Sequence, residues 1–295
     1  AARRRGADII HLTSDTGGGV RLGVKTPIVA TIHGIASHGA VTTRSPAYEA
    51  IWRRRVELTA RMSNRITTDS ESSADDLSEA FGFDRSRLKV IPLGVNHEYF
   101  RPPSDLESAN ARRTAHELGI LGPFGFFFGN VNDPKKNLVG AVAAIRAVRQ
   151  QIRDLQFVAS GAALWRAPWD GFEADWALHV GRVEDAVLRD LMWASEFVLF
   201  PSLYEGFGLP ALEAMAAGCL VVASTGGSLP EVVGDGALKP DPADIDAIAD
   251  AIVTVMSDRA TRNRLRRLGP ERAREFTWSR CAQMYLDEFL IARDG

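Results

Sequence analysis

Two glutamates are the residues most suited to chemistry. Glu205 and Glu213 bracket GFGLPAL within residues 201–218, PSLYEGFGLPALEAMAAG. The pattern reads as a strand ending at Ser202, then a glycine-rich loop. A helix follows, with Pro210 in its first position and Gly218 as its stop. In an unbroken helix the two carboxylates would stand ~12 Å apart along the axis. A loop folded back over the helix start lets both face one crevice at the carboxyl ends of the strands, where α/β sheets bind ligands. Gly206 and Gly208 allow close backbone approach. The run from Gly206 through Phe207 and Gly208 to Leu209 therefore offers N–H groups at a helix start, which favour phosphate oxygens. Glu213 can accept from both hydroxyls of a ribose diol, and Glu205 from the hydroxyls of a sugar. These parts suit a nucleotide sugar; the plainer alternative is a capped helix with two solvated glutamates.

Other candidates are weaker when taken alone. Residues 129–138, GNVNDPKKNL, read as a strand end, a polar loop and a helix start. They present Gly129, Asn130 and Lys136 at the mouth of the same sheet, or simply a solvated Lys-Lys pair in a turn. Arg182 closes another strand-like run. His33 ends the β-branched run 28–32 and precedes Gly34; a lone histidine there is more often structural. Gly17, Gly18 and Gly19 lack the following G-K of a phosphate loop and read as an acceptor-side loop. Asp244 and Asp246 have D-x-D form but fall at a helix start, where they complement its dipole. Ser228 and Glu231 have capping-box spacing. The six histidines and two cysteines show no metal-ligand spacing. Arg53, Arg54 and Arg55, with Arg61 and Arg65, read as one helix carrying Trp52, Val56 and Met62. Such a helix is either a solvated cationic face or a surface for anionic membrane.

The elements that must position these residues alternate strand and helix, as in a parallel α/β sheet. In the second half, strands are predicted over 124–130, 155–161, 176–182, 196–202, 219–225 and 237–240. Helices fall over 137–152, 184–194, 210–217, 229–233 and 245–257. That is a complete doubly wound domain. The first half is thinner, with strands over 8–12, 28–33, 65–69 and 89–92 and helices over 47–62 and 73–81. Because four strands make a poor independent sheet and the first is reached almost at once, this domain is expected to begin mid-fold, one or more βα units short; the alternative is a small four-stranded domain that is complete as it stands. A linker is expected over 94–104 and a last helix over 279–292, crossing back onto the first domain. The division is therefore 1–97, 98–278 and 279–295.

Composition sets the outer bounds. The chain has 295 residues, 45% hydrophobic and 24% charged, which is ordinary for a globular protein and argues against disorder and coiled coil. No apolar stretch approaches the roughly 20 residues of a membrane helix, and no signal-peptide pattern is seen. Two cysteines make no disulfide framework, so a reducing cytoplasmic setting is expected. Residues 1–103 hold 15 basic against 11 acidic residues, leaving 20 against 26 for the remainder. The net charge of −2 rules out a strongly basic nucleic-acid binder.

With these residues in view, the sequence resembles the retaining GT-B glycosyltransferases of family 4. Their E-x₇-E signature matches Glu205 and Glu213. Residues 228–242 (SLPEVVGDGALKPDP) resemble the segment after it, and 88–95 (LKVIPLGV) the interdomain crossing. DIIH at 8–11, TIHG at 31–34 and DSESSADDL at 69–77 resemble successive pieces of the acceptor-side domain. The resemblance implies two Rossmann-like domains facing a cleft, the C-terminal one holding the donor. It implies sugar transfer from a nucleotide diphosphate to an acceptor hydroxyl, with retention and without a metal or a further cofactor. It matches Lys136 to the diphosphate-binding lysine and His33 to a histidine facing the transferred sugar. Asn130 stands where the family often has arginine, which removes one cation. GNVNDPKKNL and the segment after the signature look most like mannosyltransferase-type members, so GDP-mannose is the favoured donor and UDP-glucose the next. The acceptor is a hydroxyl of a glycan, lipid or small molecule, with peripheral contact on the inner membrane face where that acceptor is a lipid. Two other readings stay open: a partial, non-catalytic chain that binds nucleotide, and a sugar-nucleotide epimerase on the same fold.

Overall fold

The computed structural model describes residues 6–15, 25–35, 45–161 and 175–294. The Gly17-Gly18-Gly19 loop and the basic cluster at 3–5 lie outside the described residues. The chain divides into two compact units, Ala1–Gly94 with Phe276–Gly295, and Val95–Glu275.

In the first unit, β1 (Ile10–Leu12), β2 (Ile28–Thr31), β3 (Arg65–Thr68) and β4 (Leu88–Val90) form a parallel sheet in the order 1-2-3-4. Helices α1 (Pro46–Met62) and α2 (Glu71–Phe81) lie between its strands in sequence. Ser45 and Ser70 cap them through backbone N–H groups three residues on. Trp52 and Val56 of α1, Leu77 of α2 and Ile66 of β3 share one core. The expected cationic helix is corrected here. It ends at Met62, where Ser63 turns extended, and Arg65 instead opens β3, paired with Val29.

In the second unit, β5 (Phe124–Phe128), β6 (Gln156–Ser160), β7 (Ala177–His179), β8 (Phe197–Phe200) and β9 (Val221–Ala223) form a parallel sheet in the order 7-6-5-8-9. Every residue of β5 and β8 is buried. Strands covered on both faces read as apolar runs, which is why FGFFF and FVLF stand out in the sequence. The helices are α3 (Asp105–Glu117), α4 (Leu138–Val148), α5 (Asp185–Ala194), α6 (Leu209–Ala216), α7 (Leu229–Val233), α8 (Ile245–Ser257) and α9 (Arg259–Ala273). The apolar helices α4 and α8 join Phe157, Phe197 and Leu199 in the core.

Three expectations change. The run 237–240 is not a strand: it contributes an isolated bridge from Leu238 to Val222. Helix α6 starts at Leu209, after Gly208 in a left-handed conformation, so Pro210 is its second residue. Ser228 precedes α7 but caps nothing with its side chain. Its hydroxyl donates instead to the Glu205 carbonyl at 3.0 Å. Asp244 does cap α8 through the Ala247 N–H, as its position predicts.

Candidate active site

The strand order reverses between β5 and β8. Outward from β5 the chain runs β6 then β7 on one side, and β8 then β9 on the other. The loops after β5 and β8 therefore flank a topological switch point, the ordinary ligand crevice of an open parallel sheet. They are tied together. The Leu203 N–H donates to the Lys135 carbonyl at 2.7 Å. Lys136 Nζ lies 2.6 Å from Glu205 Oε1. The sequence offered Lys136 and Glu205 as separate site residues, and the structure brings them into one ion pair.

Local chemistry explains why the pair forms. Asp133 accepts from the Lys135 N–H and starts a single 3-10 turn, Pro134–Lys136. Asn137 then takes φ of 53°, the only described non-glycine residue with positive φ. Its amide nitrogen donates to the carbonyls of Pro201 and Pro242, at 3.1 and 2.8 Å. Asn137 thereby stitches the turn to the end of β8 and sets Lys136 over the loop beyond. On the opposite side, the Ser202 hydroxyl donates to Glu205 Oε1 at 2.7 Å, the oxygen that Lys136 also holds. Ser202, Ser224 and Ser228 are all fully buried. Ser224 donates to the Ser202 carbonyl, and Ser228 bonds the Glu205 carbonyl through both hydroxyl and N–H. Gly227 has φ of 61°, and a Cβ there would run into the Glu205 backbone. Asn137, Ser202 and the Gly226–Gly227–Ser228 run were not read as site residues. Their signals were an asparagine directly before a helix and paired glycines directly after a strand.

The remaining candidates take definite places. Gly208 has φ of 89° at the head of α6, with Leu229 Cδ2 at 2.7 Å from any Cβ, so the loop backbone turns tightly into the helix. Phe207 is a buried core ring, so only its backbone is available to a ligand. Gly129 directly follows β5, and its N–H donates to the Ser160 carbonyl at 3.0 Å. Asn130 is exposed and accepts from the Asn132 N–H. Arg182 is exposed in the loop between β7 and α5. Glu213 sits within α6, where burial and then the charge of Asp185, the first residue of α5, push its carboxyl up to about 7. A carboxylate that ionises near neutrality in a mostly dry place is ready to be satisfied by hydroxyl donors.

His33 belongs to the first unit. Its Nδ1 lies 2.7 Å from Asp69 Oδ2, its Nε2 lies 3.1 Å from the Thr13 carbonyl, and its N–H donates to Asp15 Oδ1 at 3.0 Å. Hydrogen bonding to Asp69 raises the imidazole to about 9, against an opposing effect of burial. Behind it, the Thr31 hydroxyl meets His11, Thr67 and Tyr285 at 2.8, 2.9 and 3.0 Å. Tyr285 lies on α10 (Trp278–Asp294), as does Glu288, which is buried and pairs with Arg65 at 2.6 Å. Of the basic cluster, Arg65 is thus neutralised inside the unit, and Arg53 donates to the Ala80 carbonyl and stacks on Phe81. Arg54, Arg55 and Arg61 remain exposed, as do Tyr48 and Ile51. No helix among the described residues is long and apolar enough to cross a membrane.

Comparison with known proteins gives the family and the fold. The family described as glycosyl transferases group 1 matches residues 122–258, and glycosyltransferase family 4 matches residues 1–99. The O-antigen chain mannosyltransferase B of Escherichia coli is 31% identical over 77% of this chain and 60% of its own length. The MMP alpha-(1->4)-mannosyltransferase of Mycolicibacterium hassiacum is 31% identical over 96% of this chain and 70% of its own. The chain thus spans 60–70% of the length of these two relatives. Among solved structures, sucrose-phosphate synthase from Thermosynechococcus elongatus superposes with a TM-score of 0.78 at 24% identity, covering 99% of this chain and 75% of its own. HepE from Anabaena, in complex with UDP and glucose, gives 0.79 at 20% identity, covering 97% and 78%. The two structural likenesses establish the GT-B fold, none of these proteins supports the epimerase reading, and the sequence matches place the chain in the group 1, family 4 glycosyltransferases.

Proposed function

We propose that the protein transfers a sugar from a nucleotide-diphosphate donor to an acceptor hydroxyl, with retention of the anomeric configuration. The observation that carries this reading is the Lys136–Glu205 pair at the switch point between β5 and β8, beside the open N-terminus of α6. A diphosphate placed there meets one ammonium and the positive end of the α6 dipole, with the Leu209 N–H at its head; Pro210 has no N–H, and those of Ala211 and Leu212 donate to the Gly208 carbonyl. Both stabilise negative charge as the leaving group departs, and because they are preorganised they cost little at that moment. The chain's own groups supply this positive potential, so the mechanism assigns no step to a metal. Glu205, relieved of Lys136 by the phosphate, keeps its Ser202 bond and turns its carboxylate to the hydroxyls of the sugar. Glu213 accepts from the ribose diol. The leaving phosphate takes the acceptor's proton on the face that it vacates, which gives retention.

GDP-mannose is the favoured donor, since both relatives described above are mannosyltransferases, and UDP-glucose is next. The acceptor is a hydroxyl of a glycan, lipid or small molecule. For a lipid acceptor, Tyr48, Ile51, Arg54, Arg55 and Arg61 of α1 supply the apolar and cationic groups of a peripheral contact. The test is a thermal-shift series with GDP, UDP and ADP on the chain and on Glu213→Ala. A ligand at 100 times its dissociation constant adds ~2.7 kcal/mol of stability. A shift with one nucleotide that disappears in the variant supports the donor site and names the base. No shift with any of the three refutes it.

A further inference from the structure

His33 stands between two acceptors. Nδ1 faces the Asp69 carboxylate at 2.7 Å and Nε2 faces the Thr13 carbonyl at 3.1 Å. A carbonyl oxygen only accepts, and so does an ionised carboxylate. A neutral imidazole has one N–H and would leave one contact as two lone pairs in opposition. We propose that Asp69 is a positioning residue that holds His33 as an imidazolium, so that His33 is a fixed N–H donor toward a substrate oxygen and not the base that takes the acceptor's proton. The inference rests on the sugar-transfer reading proposed above and on the family resemblance that sets His33 facing the transferred sugar.

Two effects oppose each other at Asp69, where burial raises the carboxyl while the hydrogen bond and charge of His33 lower it, and the second ring contact, to a carbonyl that can only accept, tips the proton to His33. The His33 side chain is 48% exposed, so water solvates its charge, while Asp69 is 4% exposed and has no described partner for Oδ1. An ionised carboxylate so deeply buried depends on a cation beside it, and among the described residues His33 is the cationic group that it touches. Asp15 from the segment after β1 adds a second negative charge near the ring. His11 of β1 also lies near the ring, and burial, then the charge of His33, lower its pKa, so it opposes the His33 charge little. From α10, Cys281 and Tyr285 face Asp69, and burial raises both, so they stay uncharged. Of the two ring protons, the one on Nε2 makes the longer bond, at an exposed carbonyl, and is the one a substrate oxygen can take over.

The experiment is ¹⁵N-imidazole NMR of the full chain from pH 5 to 10, paired with Asp69→Asn. The expected result is that both His33 nitrogens read as protonated at pH 7.5 and titrate together near 9. Loss of an adjacent opposite charge lowers a histidine's titration by about 1–3 pH units, so that downward shift is expected in Asp69→Asn. A single protonated nitrogen at pH 7.5, or titration near 6.5, overturns the proposal, including the case where Asp69 carries the proton. If Asp69→Asn does not fold, His33→Gln decides the role: a glutamine keeps an N–H donor but cannot act as a base. Transfer by His33→Gln well above that by His33→Ala is expected, and equal loss in both overturns the donor role. The thermal-shift series with nucleotides is independent of this pair, so a failure of the donor-site reading is seen separately.

Discussion

Replacing Glu213 by glutamine should stabilise the protein at alkaline pH and leave it unchanged at acid pH. Burial, and then Asp185, raise the carboxyl from an ordinary 4.5 to about 7. Below pH 4.5 both the native and the unfolded chain hold the proton, and the group contributes nothing. Between 4.5 and 7 the native state keeps a proton that the unfolded state has released, so stability falls as pH rises. Above 7 the full cost is present. One pKa unit corresponds to about 1.4 kcal/mol, which sets a ceiling of roughly 3 kcal/mol, and residual solvation of the partly exposed side chain brings it to about 1–3 kcal/mol. For a unit of this size each kcal/mol moves the melting temperature by about 2–4 °C. Thermal unfolding of the wild type and Glu213→Gln from pH 5 to 8.5 should show a gap that opens with pH. Nucleotide affinity should move the other way, rising in the wild type as the carboxylate ionises and falling in Glu213→Gln by about 1.5–3 kcal/mol, the worth of hydrogen bonds to a charged group. A gap in melting temperature that is equal at pH 5 and 8.5 would refute the buried, costly carboxylate, and with it this account of how Glu213 is poised.

Lys136→Ala should weaken binding of nucleoside diphosphates at least tenfold and of nucleosides little, by calorimetry; equal losses would detach Lys136 from the phosphates. Gly227→Ala forces a Cβ against the Glu205 backbone at positive φ, so it should cost about 1–3 kcal/mol and reduce transfer more than a core substitution of similar cost; unchanged transfer would show that the loop tolerates the shift. Tyr285→Phe removes the phenol that meets Thr31 at 3.0 Å and should cost about 0.5–1.5 kcal/mol in denaturant unfolding; a neutral result would mean that His11 and Thr67 satisfy Thr31 without it.

How much of this was legible depends on whether the signal is local. The strands FGFFF and FVLF were readable because a strand buried on both faces must be apolar throughout. Helices α4 and α8 were readable from their apolar character. Helices α3 and α9 were not seen: ESANARRTAHE and RATRNRLRR are built of charged, polar and alanine residues with a single leucine and no apolar stripe, and the two helices bury only alanine, glycine and that leucine. Yet α3 announces itself with a true capping box, Ser104 and Glu107, lying at the edge of what was read as a linker. The spacing of Ser228 and Glu231 looked equally good, but Ser228 is drawn to the Glu205 carbonyl by a tertiary contact that no local window contains. The same limit applies to the site. Glu205, Glu213 and Lys136 were visible as residue types beside glycine loops, whereas the bond between Lys136 and Glu205 spans 69 positions. Asp69 was part of a quoted stretch, but its role depends on His33, 36 residues earlier.

The interruption of the first unit also has a consequence for how the protein is made. The chain leaves that unit at Gly94 and returns to it at Phe276. A ribosome adding ~5–20 residues per second spends about ten seconds or more on the intervening segment. During that interval β1–β4 exist without α10, and Thr31 and Arg65 wait for Tyr285 and Glu288, which are 254 and 223 positions downstream. The second unit is continuous in sequence and can close on itself as it emerges. The half that carries Lys136, Glu205 and Glu213 therefore takes shape before the half that carries His33 and Asp69, and chaperones or proteases meet the unfinished sheet of the first unit in the meantime.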